Sequence, residues 1–276
     1  MTEGSAIIGL PQWLEAPVGR HLLQWEQHHL DQVVADLFGF HALQLGLVEL
    51  DALRANRMPH RWVATEEVVT QKVPGTDSLP KVAVALHCNF DALPFDSHSL
   101  DLVVLPHALE LARDPHLTLR EVERVLVPEG RVVIVGFNPA SLWGVWQRFG
   151  RLRRRLLHGQ QNLFLPSGGE FIGYRRLRDW LRLLSFEVEA GRFGCYVPPV
   201  RSEKWLSRFD WMEQTGDRWW PVFGGVYFIV AVKRVRGMRL VGLIRNQRAV
   251  PAAAPSAATA TSSHKDLENI MEQCSE

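Results

Sequence analysis

His107 follows Pro106 at the end of an apolar run, residues 100–105, that reads as a buried strand. Open α/β sheets bind ligands beyond the carboxyl ends of their strands, so an imidazole there is a candidate general base. Glu110 stands one turn further on, where it is placed to orient the ring. The eleven histidines are otherwise scattered, and the neighbours His28 and His29 point to different sides of a helix, so no bound metal is expected. Cys88, Cys195 and Cys274 make neither a disulfide framework nor a CxxC pair, which suits a reducing compartment.

Those groups need a frame. Residues 13–38 read as a lead helix with Leu22, Trp25, His29 and Val33 on one face. Residues 41–47 suit a first buried strand, and 49–57 are expected to open a helix after it. Further strands are expected at 61–65, 82–87 and 100–105, the Pro74-Gly75 turn separating the second from the third. A helix over 116–127 buries Leu119, Val122 and Leu126, and Pro128-Glu129-Gly130 ends it. Residues 131–137 carry the β-branched run Val132 to Val135, as in a central parallel strand. A helix over 174–184 and two late strands, 186–190 and 227–235, complete an α/β sheet with helices on both faces.

Two stretches stand outside that plan. In 143–157, Trp143, Trp146, Phe149, Leu152 and Leu156 recur at helical spacing, with Arg148, Arg151, Arg154 and Arg155 on the other side. Such a helix either packs its apolar stripe on the domain, the default, or lies at a membrane surface with Trp and Arg at headgroup level. Gly144 and Gly150 lower its helix stability, which is compatible with a mobile lid. Residues 164–173, with Pro166 and Gly168-Gly169, read as a flexible connection near a substrate mouth. Trp205, Trp211, Trp219 and Trp220 either wall an apolar pocket or belong to the core.

The formal net charge is +1, from 31 Lys+Arg against 30 Asp+Glu, so no global field points to nucleic acid. No apolar run is long enough to span a membrane and no secretion signal is visible, so a cytoplasmic protein is expected. Residues 249–263 are Ala/Pro/Ser/Thr-rich and offer little to bury against their ordering entropy. The expected organisation is a helical lead at 1–40, one domain at 41–248 with a basic amphipathic insertion or lid at 143–172, and a disordered tail at 249–276.

Three blocks give this domain a family likeness: Asp91-Ala92-Leu93-Pro94-Phe95-Asp96, Ser99-Leu100-Asp101-Leu102-Val103, and 120–130, which reads Arg-Glu-Val-Glu-Arg-Val-Leu-Val-Pro-Glu-Gly. Their order and spacing resemble class I S-adenosylmethionine-dependent methyltransferases of the type 11 kind, in a proteobacterial branch with a degenerate glycine-rich motif. The resemblance runs from about residue 13 to 236. It implies a doubly wound, mostly parallel seven-stranded Rossmann-like sheet with an antiparallel last strand.

The resemblance also implies S-adenosylmethionine as cofactor. In the family, an acid at the end of the first strand precedes Gly-x-Gly-x-Gly, whose backbone N–H groups and following helix hold the methionine end. Here the segment is Gln44-Leu45-Gly46-Leu47-Val48-Glu49, in which Gly46 survives and Gln44 stands for the acid. Glu66 or Glu67 is then expected at the ribose, Asn89 at the adenine edge and Phe90 on its ring, with a solvated turn glutamate the alternative for the acids and a core aromatic the alternative for Phe90.

The leading expectation is methyl transfer to a small or lipid-like acceptor, with Gln44, Gly46, Glu66, Asn89 and Phe90 as cofactor contacts and His107 as base. Where 143–157 does not pack on the domain, peripheral membrane contact is the interaction that it implies. The alternative is a non-catalytic methyltransferase-fold scaffold or sensor that has lost cofactor binding. A nucleic-acid module acting through Arg148 to Arg155 is opposed by the balanced charge and the apolar residues threaded through that cluster.

Overall fold

A computed structural model describes residues 10–66, 83–157, 171–198 and 211–235. Two lead helices, α1 (Leu10–Glu15) and α2 (Pro17–Ala35), precede β1 (His41–Leu45), β2 (His60–Thr65), β3 (Leu86–His87) and β4 (Leu100–Pro106). Then follow α3 (Ala108–Leu111), α4 (Pro115–Val125), β5 (Leu126–Phe137), α5 (Leu142–Leu157), α6 (Tyr174–Leu183) and β6 (Phe186–Gly194). Helix α7 (Trp211–Trp219), a 3-10 turn (Pro221–Phe223) and β7 (Val226–Lys233) close the order.

The strands form one seven-stranded sheet in the order β3-β2-β1-β4-β5-β7-β6. β1 runs parallel to β2 and β4, and β4 to β5, while β7 runs antiparallel to both β5 and β6. This is the expected Rossmann-like sheet. Its two faces carry separate cores. One packs Leu14, Leu22, Leu30 and Val34 of the lead helices against Ala42, Leu102, Val133 and Phe228. The other packs Leu119 and Val122 of α4 and Leu177 and Leu181 of α6 against Leu43, Val103, Ile134 and Ile229. A strand covered on both faces has no wet side for polar residues, and every residue of β7 is buried.

Two local expectations are corrected. The buried stripe of α2 is Val18, Leu22, Glu26, Leu30 and Val34, so Trp25 and His29 sit beside the core face. After β1 there is no helix over 49–57; the chain makes a series of turns that bury Leu47, Leu50, Ala52, Leu53 and Met58. The face of β1 that such a helix would cover is already taken by α2. Asn56 ties the turns to that helix, its Nδ2 donating to the Val34 carbonyl at 2.7 Å and the Leu37 carbonyl at 3.1 Å.

The three blocks of family likeness form the scaffold. The Arg124 guanidinium donates to the Leu93 and Phe95 carbonyls, each at 2.9 Å, and to Glu121 at 2.8 Å. Glu121 in turn accepts the Leu93 N–H at 3.1 Å, so the acidic turn is stapled to α4. Asp101 Oδ2 accepts the N–H groups of Phe40 and His41, fixing where β1 starts. Asp114 caps α4 by accepting from His116 and Leu117, with Pro115 at the first helical position. The expected break at Pro128-Glu129-Gly130 is an irregularity inside β5, with Glu129 at φ 65°.

All the described residues, the helical lead among them, fall within one compact unit. The stretch expected to be a disordered tail, Glu67, Trp205 and most of 164–173 lie outside the described residues. Among the described residues no helix is long and apolar enough to cross a membrane.

Candidate functional site

Because β1, β2, β3 and β4 are parallel neighbours, the residues that follow them share one edge of the sheet: Gly46, Glu66, Asn89 and His107. From β1 the chain moves outward to β2, whereas β4 pairs on the other side of β1. The gap between β1 and β4 is therefore the point at which strand order reverses, where open sheets form their crevice. Gly46 sits there with φ +92°, and a Cβ on it would lie 3.2 Å from the Ala108 Cβ and 3.4 Å from the Pro106 carbonyl oxygen. A side chain at this position meets a strained backbone and tight contacts, which favours glycine.

Glu66, half-buried at the end of β2, accepts the Phe90 N–H through Oε1 at 3.0 Å. Its Oε2 makes no hydrogen bond among the described residues. Asn89 is exposed beside it, while its carbonyl accepts the Ala92 N–H at 3.2 Å. Phe90 is buried in the core with Leu93, Leu100 and Leu119, which leaves no ring face for an adenine. It supports the rim from below.

Gln44 does not face the rim either. Its side chain is fully buried, with Nε2 donating to the Leu47 carbonyl at 2.8 Å and the Leu50 carbonyl at 2.7 Å. Its Oε1 accepts the Ala52 N–H at 2.9 Å. Both amide hydrogens and the oxygen are thereby spent on the turns after β1. The Glu49 carboxyl faces its own N–H and that of Val48, with Glu15 nearby, and burial is the main cause that raises it above the usual carboxylate range. The backbone donors at the start of this loop thus already meet a carboxyl group of the chain itself.

His107 is the most constrained of the candidates. It is buried in the left-handed region, φ 53°, and its backbone N–H reaches the Val135 carbonyl at 2.9 Å. Nδ1 meets Glu110 Oε2 and Nε2 meets Glu26 Oε1, both at 2.8 Å and both buried. Burial alone would lower its pKa, but the Glu26 and Glu110 carboxylates push it up to about 10. At neutral pH the ring is an imidazolium that donates from both nitrogens. It has no free nitrogen with which to take a proton, which corrects the assignment of His107 as a base. Glu110 also accepts the Phe137 N–H at 2.5 Å, so the cluster joins α2, the end of β4, α3 and the end of β5.

Glu26 was not among the expected site residues, although a charged residue between Leu22 and Leu30 on an apolar stripe is a readable signal. The segment after β5 also differs from expectation. Trp143 is buried, donating to the Val197 carbonyl at 2.7 Å, and packs edge-on to Trp13, whereas Trp146 and Phe149 are exposed. A Cβ at Gly144 would lie 2.3 Å from the Pro139 carbonyl oxygen, so this glycine allows close packing of the helix start and does not loosen it. Trp219 and Trp220 are exposed as well, neither core nor pocket wall.

Comparison with known proteins agrees with this frame. The methyltransferase domain family matches residues 63–134, from β2 into β5. Uncharacterized protein YafS of Escherichia coli (strain K12) is 32% identical over 224 residues, 80% of each chain. Demethylmenaquinone methyltransferase of Chlamydia pneumoniae is 35% identical over 54 residues, 20% of this chain and 24% of that one. A chain of the complex between the Haloferax volcanii Trm112 methyltransferase activator and a methyltransferase is similar with a TM-score of 0.52 at 18% identity. That alignment covers 84% of this chain and 99% of the other, and at such identity it speaks for the fold alone. The sheet order, the scaffold blocks and a relative of this identity and coverage converge: the chain belongs to the class I S-adenosylmethionine-dependent methyltransferase family.

Proposed function

We propose that this chain binds S-adenosylmethionine along the rim over β1, β2 and β3 and directs its methyl group to a small or lipid-like acceptor. One observation carries the reading: Glu66, pinned by the Phe90 N–H through one oxygen, offers its other oxygen at the edge of the sheet that it shares with Gly46. A carboxylate held in this way is a ready acceptor for a vicinal diol, here the ribose hydroxyls. Asn89 presents an amide to the adenine edge.

When bound, the cofactor supplies a sulfonium methyl for in-line displacement, which depends mainly on alignment of the acceptor. The chain's own contribution at that end of the site is rigidity. Glu26, His107 and Glu110 hold the ends of β4 and β5 in register with α2, and His107 acts in this reading as a positioning residue.

The alternative, a scaffold without cofactor, is favoured by the loop after β1, where Gln44 and Glu49 already satisfy the groups that a ligand would use. Calorimetry separates the two. Binding of S-adenosylmethionine or its demethylated product is expected in the micromolar to millimolar range, roughly 4 to 8 kcal/mol. Glu66→Ala is expected to weaken it about tenfold or more, and Glu49→Gln, which removes an internal charge from the methionine end, to leave it unchanged or tighten it. A folded protein with neither heat nor thermal shift at millimolar cofactor is the scaffold.

A further inference from the structure

Asn138, just past the end of β5, joins two elements that lie far apart in the chain. Its Nδ2 donates to the Val222 carbonyl at 2.7 Å and the Gly224 carbonyl at 2.9 Å, and its own N–H reaches the Gly225 carbonyl at 2.9 Å. Its carbonyl accepts from Ser141, whose Oγ and carbonyl in turn take the Gly144 and Val145 N–H groups at the start of α5. The first turns of α5 and the segment 219–225 are thereby fixed side by side. Because β7 is antiparallel, that segment stands at the same edge of the sheet as the ends of β4 and β5.

Both elements expose what a folded chain normally hides. On α5, Trp146 is 62% and Phe149 66% exposed, with Leu142 and Val145 also open to solvent. In the neighbouring segment, Trp219 is 70% and Trp220 55% exposed, with Val222 and Phe223 beside them. Single exposed apolar residues need no explanation, but two tethered elements that each show four do.

The charge of the region selects the partner. Helix α5 carries Arg148, Arg151, Arg153, Arg154 and Arg155 and no acidic residue. Arg148 is exposed on the same turn as Phe149. Of the acids on α7, Glu213 is engaged inward, its carboxylate accepting the Cys195 and Tyr196 N–H groups at 3.0 Å, and Asp217 is matched in sequence by Arg218. Amphipathic aromatic rings, aliphatic side chains and a helix whose only charged residues are arginines suit the boundary between acyl chains and anionic headgroups.

We infer that α5 and the 219–223 segment form one docking surface for an anionic lipid bilayer. The aromatic and aliphatic side chains enter the headgroup boundary and Arg148 pairs with a lipid phosphate, which brings the rim of the sheet to the membrane. This surface needs no cofactor, and vesicle binding is read separately from methyl transfer.

The test is flotation of the full chain with phosphatidylcholine vesicles and with vesicles that also contain phosphatidylglycerol. Retention is expected on the anionic vesicles and to weaken with salt. The pairs Trp146→Ala with Phe149→Ala and Trp220→Ala with Phe223→Ala are each expected to cut partitioning about tenfold. Arg148→Glu is expected to lower it on anionic vesicles only. All five side chains are exposed, and circular dichroism checks that the variants fold. A milder variant, Trp146→Phe, is expected to reduce tryptophan quenching by brominated phosphatidylcholine in the same anionic vesicles while leaving the fold intact. Absence of binding to anionic vesicles overturns the inference, as does binding that ignores either aromatic pair. Salt-sensitive capture of a single-stranded oligonucleotide without vesicle binding would make the surface a nucleic-acid platform instead.

Discussion

Replacing His107 with alanine is expected to lower the folding free energy by about 3–5 kcal/mol, the range for removing one partner of a buried ion pair. The reason lies in what stays behind. Glu26 and Glu110 are buried on either side of the ring, and without it two carboxyl groups face each other in the core. Glu26 is exposed to this most, since its Oε2 already lacks a hydrogen-bond partner. Glu26→Leu combined with His107→Leu is expected to cost less than His107→Leu alone, because one of the two carboxyl groups then leaves with the ring and apolar atoms fill the space. Denaturant unfolding measures all three, and a loss below about 1 kcal/mol for His107→Ala would show that the cluster is structurally idle.

The same cluster sets a dependence on pH. His107 is raised from an ordinary value near 6.5 to about 10, so the folded chain holds a proton that the unfolded chain releases. Its stabilisation is complete below about pH 6.5 and declines as pH rises toward 10, at up to about 1.4 kcal/mol per pH unit. Cys195 and Tyr227, buried near Glu26 and Glu110, have their acid forms favoured by burial and begin to add to the loss only above their ordinary values, about 8.5 and 10. Between pH 7 and 8 the slope therefore belongs mainly to His107. It is expected to be shallower in the His107→Leu, Glu26→Leu double variant.

What was legible in the sequence is what depends on local pattern. The blocks at 91–96, 99–103 and 120–130 revealed the sheet because their residues serve one another: Arg124 grips Leu93 and Phe95, and Asp101 sets the start of β1. Gly46 was legible for the same reason, since only the backbone conformation at a strand end demands it. The chemistry around it was not. Gln44 and Phe90 occupy positions where a ligand contact was expected, yet a side chain's direction is set by neighbours the sequence does not display. The turns at 47–53 draw Gln44 inward, and Leu93, Leu100 and Leu119 enclose Phe90. The second partner of His107, Glu26, lies 81 residues earlier on α2, beyond the reach of any spacing rule. The amphipathic pattern of α5 was plain, but Trp143 turned inward and Trp146 outward because Gly144 lets the helix start press against Pro139.

Gln44→Glu is the second large effect, and it runs against intuition from the family. An acid at the end of β1 accompanies an intact glycine-rich loop, so restoring one would be expected to restore affinity. In this chain the loop is built on the amide. Nε2 supplies two hydrogens to the Leu47 and Leu50 carbonyls, and a carboxylate would turn an oxygen toward both while leaving a charge in the core. Each carbonyl deprived of its donor costs about 1–3 kcal/mol, and the acid either stays charged at further cost or is protonated and supplies one hydrogen where two are needed. A loss of about 2–5 kcal/mol is expected, with no gain in S-adenosylmethionine affinity. Gln44→Leu, which removes the same donors without adding charge, is expected to fall at the lower end of that range. Thermal melting and calorimetry on the pair decide the matter. If Gln44→Glu binds the cofactor more tightly at unchanged stability, then this side chain faces the ligand and the loop after β1 opens to receive it.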